Sequence, residues 1–135
     1  SDYLQLARSA AGSPDQTVKE QLERMLRTMM DYHQEQPLRT KIYMRLLLFP
    51  PDMVQADLQA EFLRLEREEH VLFCEMFRRG MESGEIKPAD CSDLAWSLIC
   101  IMDGLFWEMQ RSDEKTIQKC TRIVLEQFWE GIRQV

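Results

Sequence analysis

The chain has 135 residues, which is the size of one ordinary domain. Hydrophobic residues make up 44% of it and charged residues 30%, with five Gly and five Pro, so the composition excludes collagen-like, low-complexity and disordered proteins. Seventeen basic against 23 acidic side chains give a net charge of −6, which disfavours direct binding of this chain to nucleic acid or to an anionic membrane.

The predicted elements are helices, because apolar residues recur every three or four positions and no window alternates with a period of two. Residues 1–9 have the pattern of a helix cut short at its beginning, and the first residue is Ser rather than Met, so we expect a fragment or a processed chain. Residues 13–16 form a capping box with Pro at the first helical position, which predicts a helix start there. That helix is predicted to end at Gln36, because a residue before proline is disfavoured in the helical region.

Two helices are predicted in the middle of the chain. Pro37 begins a short helix that ends before the Phe-Pro-Pro run at residues 49–51. A long helix runs from residue 51 or 52 to about residue 83, where Gly84 provides a C-terminal stop.

Two more helices are predicted in the last third. Asp90 is the expected N-cap of a helix that reaches about residue 111. Ser112 or Asp113 caps the final helix, which ends near Gly131. The sequence therefore predicts one all-helical domain, residues 1–135, built as a bundle of five to six helices.

The predicted helix at residues 90–111 is apolar on two sides. One side carries Trp96, Cys100 and Trp107, together with Asp103. The other side carries seven apolar residues: Leu94, Leu98, Ile101, Met102, Leu105, Phe106 and Met109. Burying a large apolar side chain contributes ~1.5–3 kcal/mol, so leaving both tryptophans in water forgoes several kcal/mol. Both sides therefore need to be covered.

The last helix offers one apolar face that fits this need. That face comprises Ile117, Thr121, Val124, Leu125, Phe128 and Ile132. We predict a homodimer in which the last two helices of each protomer form a four-helix interface. Its predicted contacts are Leu98, Ile101, Leu105, Ile117, Thr121, Val124, Leu125 and Phe128. An intramolecular bundle that buries both faces by itself is the alternative.

A carboxylate interrupts the apolar stripe of the long helix. Glu69 lies at the centre of a stripe formed by Val54, Leu58, Phe62, Leu65, Leu72, Phe73 and Met76. A charge on a core face needs a partner or a cavity. One interpretation is an ion pair with Arg24, Arg27 or Arg45, or a half-exposed stripe edge. The other is a polar anchor in an otherwise apolar small-molecule pocket.

Signatures of catalysis and of metal binding are weak or missing. No nucleotide-binding, nucleophile-elbow or HExxH motif occurs, so we predict no enzyme and no cofactor. Glu66, His70 and Cys74 share one helix face, but without a second ligand cluster we predict no metal site. The four cysteines show no CxxC pair, and neither a signal peptide nor a membrane-length apolar run is present, so we expect reduced thiols and a cytoplasmic location.

The order of the helices resembles the C-terminal regulatory domain of TetR-family transcriptional regulators. The resemblance extends from about residue 10 to residue 133 and includes "AAGSPDQTVKEQLERMLRTMMDYH" and "FRRGMESGEIKPADCSDLAWSLICIMDGLFWEM". Its most specific part is the stretch from Gly80 to Gly104, where a long helix ends, a Gly-Glu-Ile turn follows and a helix with Asp-Gly-Leu begins. The family's N-terminal helix-turn-helix domain, which reads DNA, is absent from this chain.

The resemblance implies a bacterial homodimer that senses a small apolar or amphipathic effector and, as a repressor, releases DNA in the full-length parent. The effector would lie among the helices predicted at 15–35, 37–48, 52–83 and 90–111. Expected ligand-binding residues are Met25, Met29, Tyr32, Tyr43, Leu47, Phe62, Leu65, Glu69, Phe73, Trp96 and Trp107. The alternative is a stand-alone helical adaptor with no ligand pocket, and a cavity distinguishes the two.

Overall fold

The structure, a computed structural model, describes residues 16–135 and consists there of five α-helices joined by short connections. This confirms the predicted all-helical class. The helices are α1 (Val18–Glu35), α2 (Pro37–Leu48), α3 (Gln55–Glu82), α4 (Cys91–Met109) and α5 (Glu114–Ile132), and a single 3-10 turn (Asp52–Val54) precedes α3. The predicted helix end at residues 1–9 and most of the capping box at 13–16 lie outside the described residues.

The start of α1 differs from the prediction, since the helix begins at Val18 and not within residues 13–16. Thr17 is the N-cap, and its hydroxyl accepts a hydrogen bond from the Glu20 amide at 3.1 Å. The Glu85 carboxylate accepts two more, from the amides of Val18 at 2.8 Å and Lys19 at 3.1 Å. A side chain from a distant segment therefore satisfies amides that the local sequence leaves without partners.

The other predicted helix ends agree closely with the structure. Asp90 caps α4 by accepting from the amides of Ser92 and Asp93, and Asp113 caps α5 by accepting from Thr116. Gly84 has φ +81°, the left-handed conformation that ends a helix at little cost for glycine. The long helix is preceded by a 3-10 turn, so α3 itself begins at residue 55, later than predicted.

One apolar core joins α1, the second half of α3, the inner face of α4 and the end of α5. Its largest side chains with almost no exposed surface are Leu22, Met25, Leu26, Met29, Phe73, Met76, Phe77, Ile86, Leu98, Met102 and Ile117. By contrast, α2 contacts only α1 and α3 among the described elements. The packed core and the outlying α2 together leave space between them.

The segment between α3 and α4 is fixed against both ends of the described chain. Ile86 donates its amide to the Gly80 carbonyl at 3.0 Å, and its side chain is buried beside Gly80. Lys87 donates to the Ile132 carbonyl at 3.0 Å, and Gln134 donates to the Glu85 carbonyl at 2.9 Å. This pairing holds Glu85 at the start of α1, where it caps the helix. None of the described helices combines the length and apolar character needed to span a bilayer.

Candidate functional site

A cavity of about 690 Å³ lies between α1, α2, α3 and α4 and is partly open to solvent. Its volume is within the ~300–1,000 Å³ of small-molecule pockets. The lining residues are Tyr32, His33, Arg39, Thr40, Tyr43, Met44, Leu47, Leu48, Phe62, Leu65, Glu66, Glu69, Ile99, Asp103 and Phe106. Most of them are apolar or aromatic, and a few charged groups are placed among them.

Aromatic rings form two walls of the cavity. Tyr43 of α2 meets Phe62 of α3 edge to face, with ring centroids 5.4 Å apart. On the α1 side, the His33 ring lies 4.5 Å from Phe106 of α4 and 5.4 Å from Tyr32, again near-perpendicular in both cases. These contacts hold flat apolar surfaces in fixed orientations around the cavity.

A buried polar contact between two lining residues of the cavity connects α1 to α2. The His33 Nδ1 and Thr40 Oγ1 atoms are 2.7 Å apart, and Thr40 is the one buried residue of α2. The Thr40 hydroxyl is also 3.4 Å from the carbonyl oxygens of His33 and Gln36. Burial lowers the pKa of His33 to about 4, so the imidazole is neutral at pH 7.

Three carboxylates also line the cavity, Glu66 and Glu69 on α3 and Asp103 on α4. Burial raises the pKa of Tyr43 to about 12, and the negative charges of Glu69, Asp103 and Glu66 add to the increase. The pKa of Asp103 is also raised, mainly by partial burial and secondly by the charge of Glu66, although part of the residue is exposed to solvent. The three carboxylates therefore act on one shared volume.

One guanidinium, that of Arg39, also lines the cavity. Arg39 donates a hydrogen bond from Nη1 to the Tyr32 hydroxyl at 3.0 Å, and a longer one to Oε1 of Gln36 at 3.4 Å. The formal charge of the lining side chains is thus negative at pH 7, since three carboxylates face one guanidinium and His33 is neutral.

The structure brings six of the eleven expected ligand-binding residues together in the cavity wall: Tyr32, Tyr43, Leu47, Phe62, Leu65 and Glu69. Met25, Met29 and Phe73 do not line it, because they lie on the same helix faces but further into the packed core, with no exposed surface. Trp96 and Trp107 do not line it either and are 44% and 47% exposed, and the Trp96 ring lies 5.0 Å from the His70 ring of α3.

The expected dimer-interface residues divide in a similar way. Leu98, Leu105 and Ile117 are buried within the chain itself. The other five are half-buried and form one face of α4 and α5: Ile101, Thr121, Val124, Leu125 and Phe128. Phe128 also contacts Phe77 edge to face, with centroids 6.0 Å apart.

Several lining residues have no clear signal in the sequence. His33 and Thr40 meet only because the chain turns at Gln36, and a single helical periodicity does not report a contact across a turn. Asp103 and Glu66 lie on facing helices, and each appears in its own helix as an ordinary polar position. The raised pKa of Asp103, which partly reflects Glu66, depends on packing that no local pattern encodes.

Two residues of the face that carries Glu66, His70 and Cys74 contact other side chains of the protein. His70 Nε2 is 2.9 Å from the Ser92 hydroxyl, and the Cys74 sulfur lies 3.8 Å from His70 Nδ1. Among residues 16–135, no three His, Cys, Asp or Glu side chains converge as metal ligands.

In comparisons with known proteins, no protein-family model and no curated protein matches the chain.

Proposed function

We propose that the chain is the effector-sensing and dimerisation domain of a TetR-like transcriptional regulator. The observation that carries this proposal is the cavity of about 690 Å³ between α1, α2, α3 and α4. Protein interiors normally close to crystal-like density, so a space of this size with mostly apolar walls and a few directed polar groups favours a ligand site over a packing fault. The ligand would be a small apolar or amphipathic molecule.

The arrangement of α1 supports a route from the cavity to a DNA-reading domain. Its last turn supplies Tyr32 and His33 to the cavity wall, while its first turn is capped by Glu85. A ligand that displaces the last turn would tilt the whole helix, because a helix of this length moves as a rigid element. In a full-length repressor, such a tilt would move paired recognition helices away from the ~34–36 Å spacing of their half-sites. A coupling of ~1–3 kcal/mol is enough for regulation.

The outer face of α4 and α5 supports the homodimer. The five half-buried residues Ile101, Thr121, Val124, Leu125 and Phe128 keep exposed surface that a partner helix would cover. A Cβ built on Gly104 or Gly131 meets no atom within 4 Å, so these positions let a second helix approach the backbone. A four-helix interface from two copies would cover this face and follow the geometry of helical bundles.

Binding of Nile red, a neutral apolar fluorophore, tests the cavity. We expect saturable binding of one molecule per chain and its loss in Leu65→Trp, because the larger side chain fills the cavity. Leu38→Trp is the matched control, since Leu38 lies on α2 outside the cavity wall and is 71% exposed. If the wild-type chain binds no fluorophore, or binds it equally well in both variants, the sensing proposal fails.

Sedimentation equilibrium tests the dimer. We expect a dimer at micromolar concentration and a monomer for Val124→Glu, because a charge in an apolar helix interface lacks a partner. Lys119→Glu, on the opposite side of α5, is the control that should stay dimeric. Thr121→Glu provides a second variant on the same face, and circular dichroism shows whether each variant is folded. A wild-type monomer contradicts the dimer proposal.

The alternative is a stand-alone adaptor, which an exposed apolar surface favours. Leu38, Phe49 and Met53, around the ends of α2 and the following turn, are 71%, 77% and 97% exposed. Such a surface suits a partner helix or loop better than solvent. A chain that binds no small molecule but retains this surface would support the adaptor.

A further inference from the structure

The charges in the cavity carry an inference about the ligand. Glu66 on α3 and Asp103 on α4 face the same space from two helices, and within residues 16–135 neither forms an ion pair. Glu69 also lines the cavity. The guanidinium of Arg39, which also lines the cavity, donates to Tyr32 and Gln36.

We propose that the cavity selects a lipophilic organic cation, such as a quaternary ammonium or phosphonium ion with aromatic substituents. This inference rests on the proposed sensing function and names the chemical class of its ligand. The carboxylates belong to the lining of a cavity whose other lining residues are mostly aromatic or apolar.

A cation is favoured over a neutral or anionic ligand for electrostatic reasons. Any ligand that fills the cavity removes water from Glu66 and Asp103, and burying a carboxylate without a compensating charge is costly. A neutral ligand leaves that cost in place and an anion adds repulsion, whereas a cation offsets it. Tyr43 and Phe62 line the same space, and an aromatic ring attracts a cation placed over its face.

The cation must also be large and weakly hydrated. The remaining wall is aliphatic, from Met44, Leu47, Leu65 and Ile99, and offers no ring of oxygen ligands to replace the water of a small ion. Apolar substituents on the charged centre would fill this part of the cavity and release ordered water.

Tetraphenylphosphonium and tetraphenylborate test the inference, because the two ions have nearly the same shape and opposite charge. Binding to the wild-type chain is measured by isothermal titration calorimetry. We expect the cation to bind at least about tenfold more tightly than the anion. Glu66→Gln and Asp103→Asn should each weaken cation binding by about three- to tenfold and leave anion binding the same or stronger.

Glu75→Gln is the matched control, since it removes one charge from an exposed position of α3 outside the cavity wall and should leave both affinities unchanged. Equal binding of both ions, or equal loss in all three variants, overturns the inference. If Nile red binds and tetraphenylphosphonium does not, the cation is wrong while the cavity still binds ligands. If neither probe binds, the proposed function itself fails.

Discussion

The two ends of the bundle differ sharply in how well they are packed. At one end, Phe73, Met76 and Phe77 of α3 are fully buried against α1, α4 and α5. At the other end, Thr40 is the only buried residue of the described stretch 37–72, which includes all of α2 and the first half of α3. Both ends are rich in large apolar side chains, so composition does not explain the difference.

The position of each helix explains it. The second half of α3 lies against the inner face of α4, whereas α2 contacts only α1 and α3 among the described elements. Apolar side chains at the loose end therefore face the cavity or solvent instead of one another. Regions with few buried contacts open and rearrange at low free-energy cost, which is what a ligand-binding region requires.

The contrast predicts unequal costs for the same truncation at the two ends. Phe77→Ala removes a fully buried ring and should lower the free energy of unfolding by ~3–5 kcal/mol. Phe62→Ala removes a half-buried ring from the cavity wall and should cost less than about 1 kcal/mol, because no filled space is emptied. Urea denaturation followed by circular dichroism measures both. Equal losses would contradict the division into a packed end and a loose end.

The packed end is also expected to reject a single added methyl group. A Cβ on Gly80 would lie 2.6 Å from Ile86 Cδ1 and 2.9 Å from Val18 Cγ2, so Gly80→Ala should destabilise the chain by ~1–3 kcal/mol. Ile86→Val removes Cδ1, and the double variant should recover part of the loss in a double-mutant cycle. Strict additivity of the two changes would show that this close approach does not limit the packing.

Acid is expected to weaken the junction between the two ends at His33. Its folded-state pKa of about 4 lies below the ordinary value of 6.5, so the unfolded chain takes up the proton first. Stability is then complete above pH 6.5 and is lost as pH falls toward 4. We expect a loss of ~1–2 kcal/mol, since the ring is still partly accessible to water. His33→Gln, which can still bond to Thr40, should show a smaller loss over this window in urea titrations, and an unchanged profile would count against the assignment.

Much of the fold follows from local sequence signals. Asp90, Asp113 and Gly84 mark helix ends through bonds and backbone angles that involve only neighbouring residues, and the predicted positions agree with the structure. The start of α1 did not follow, because Glu85 reaches it from a segment 67 residues away from Val18. A capping bond between distant segments has no local sequence pattern.

The site was predictable only as a set of helix faces. The resemblance implied Tyr43 and Phe62 as pocket residues, the helix periodicity placed Glu69 on a core face, and all three line the cavity. Met25 and Phe73 lie on the same helices but are buried in the packed core. A continuous stripe does not indicate which of its turns meets a neighbour and which faces a cavity. The depth of a residue along a helix depends on where the other helices end, and that is a property of the whole fold.

The smallest predicted effect concerns the charge of Asp103 in the cavity lining. Partial burial and Glu66 raise the pKa of Asp103, so its ionised form is disfavoured in the folded chain above about pH 4. Asp103→Asn removes this unfavourable charge and should raise the free energy of unfolding at pH 7 by a few tenths of a kcal/mol. The gain should shrink as pH falls and the wild-type carboxyl becomes protonated. Glu126→Gln, at an exposed position of α5, should have no such effect in the same urea titrations. A loss of stability in Asp103→Asn would mean that this carboxylate stabilises the fold. In that case the unfavourable charge does not contribute to the loose packing of this end, and helix packing alone explains the open cavity.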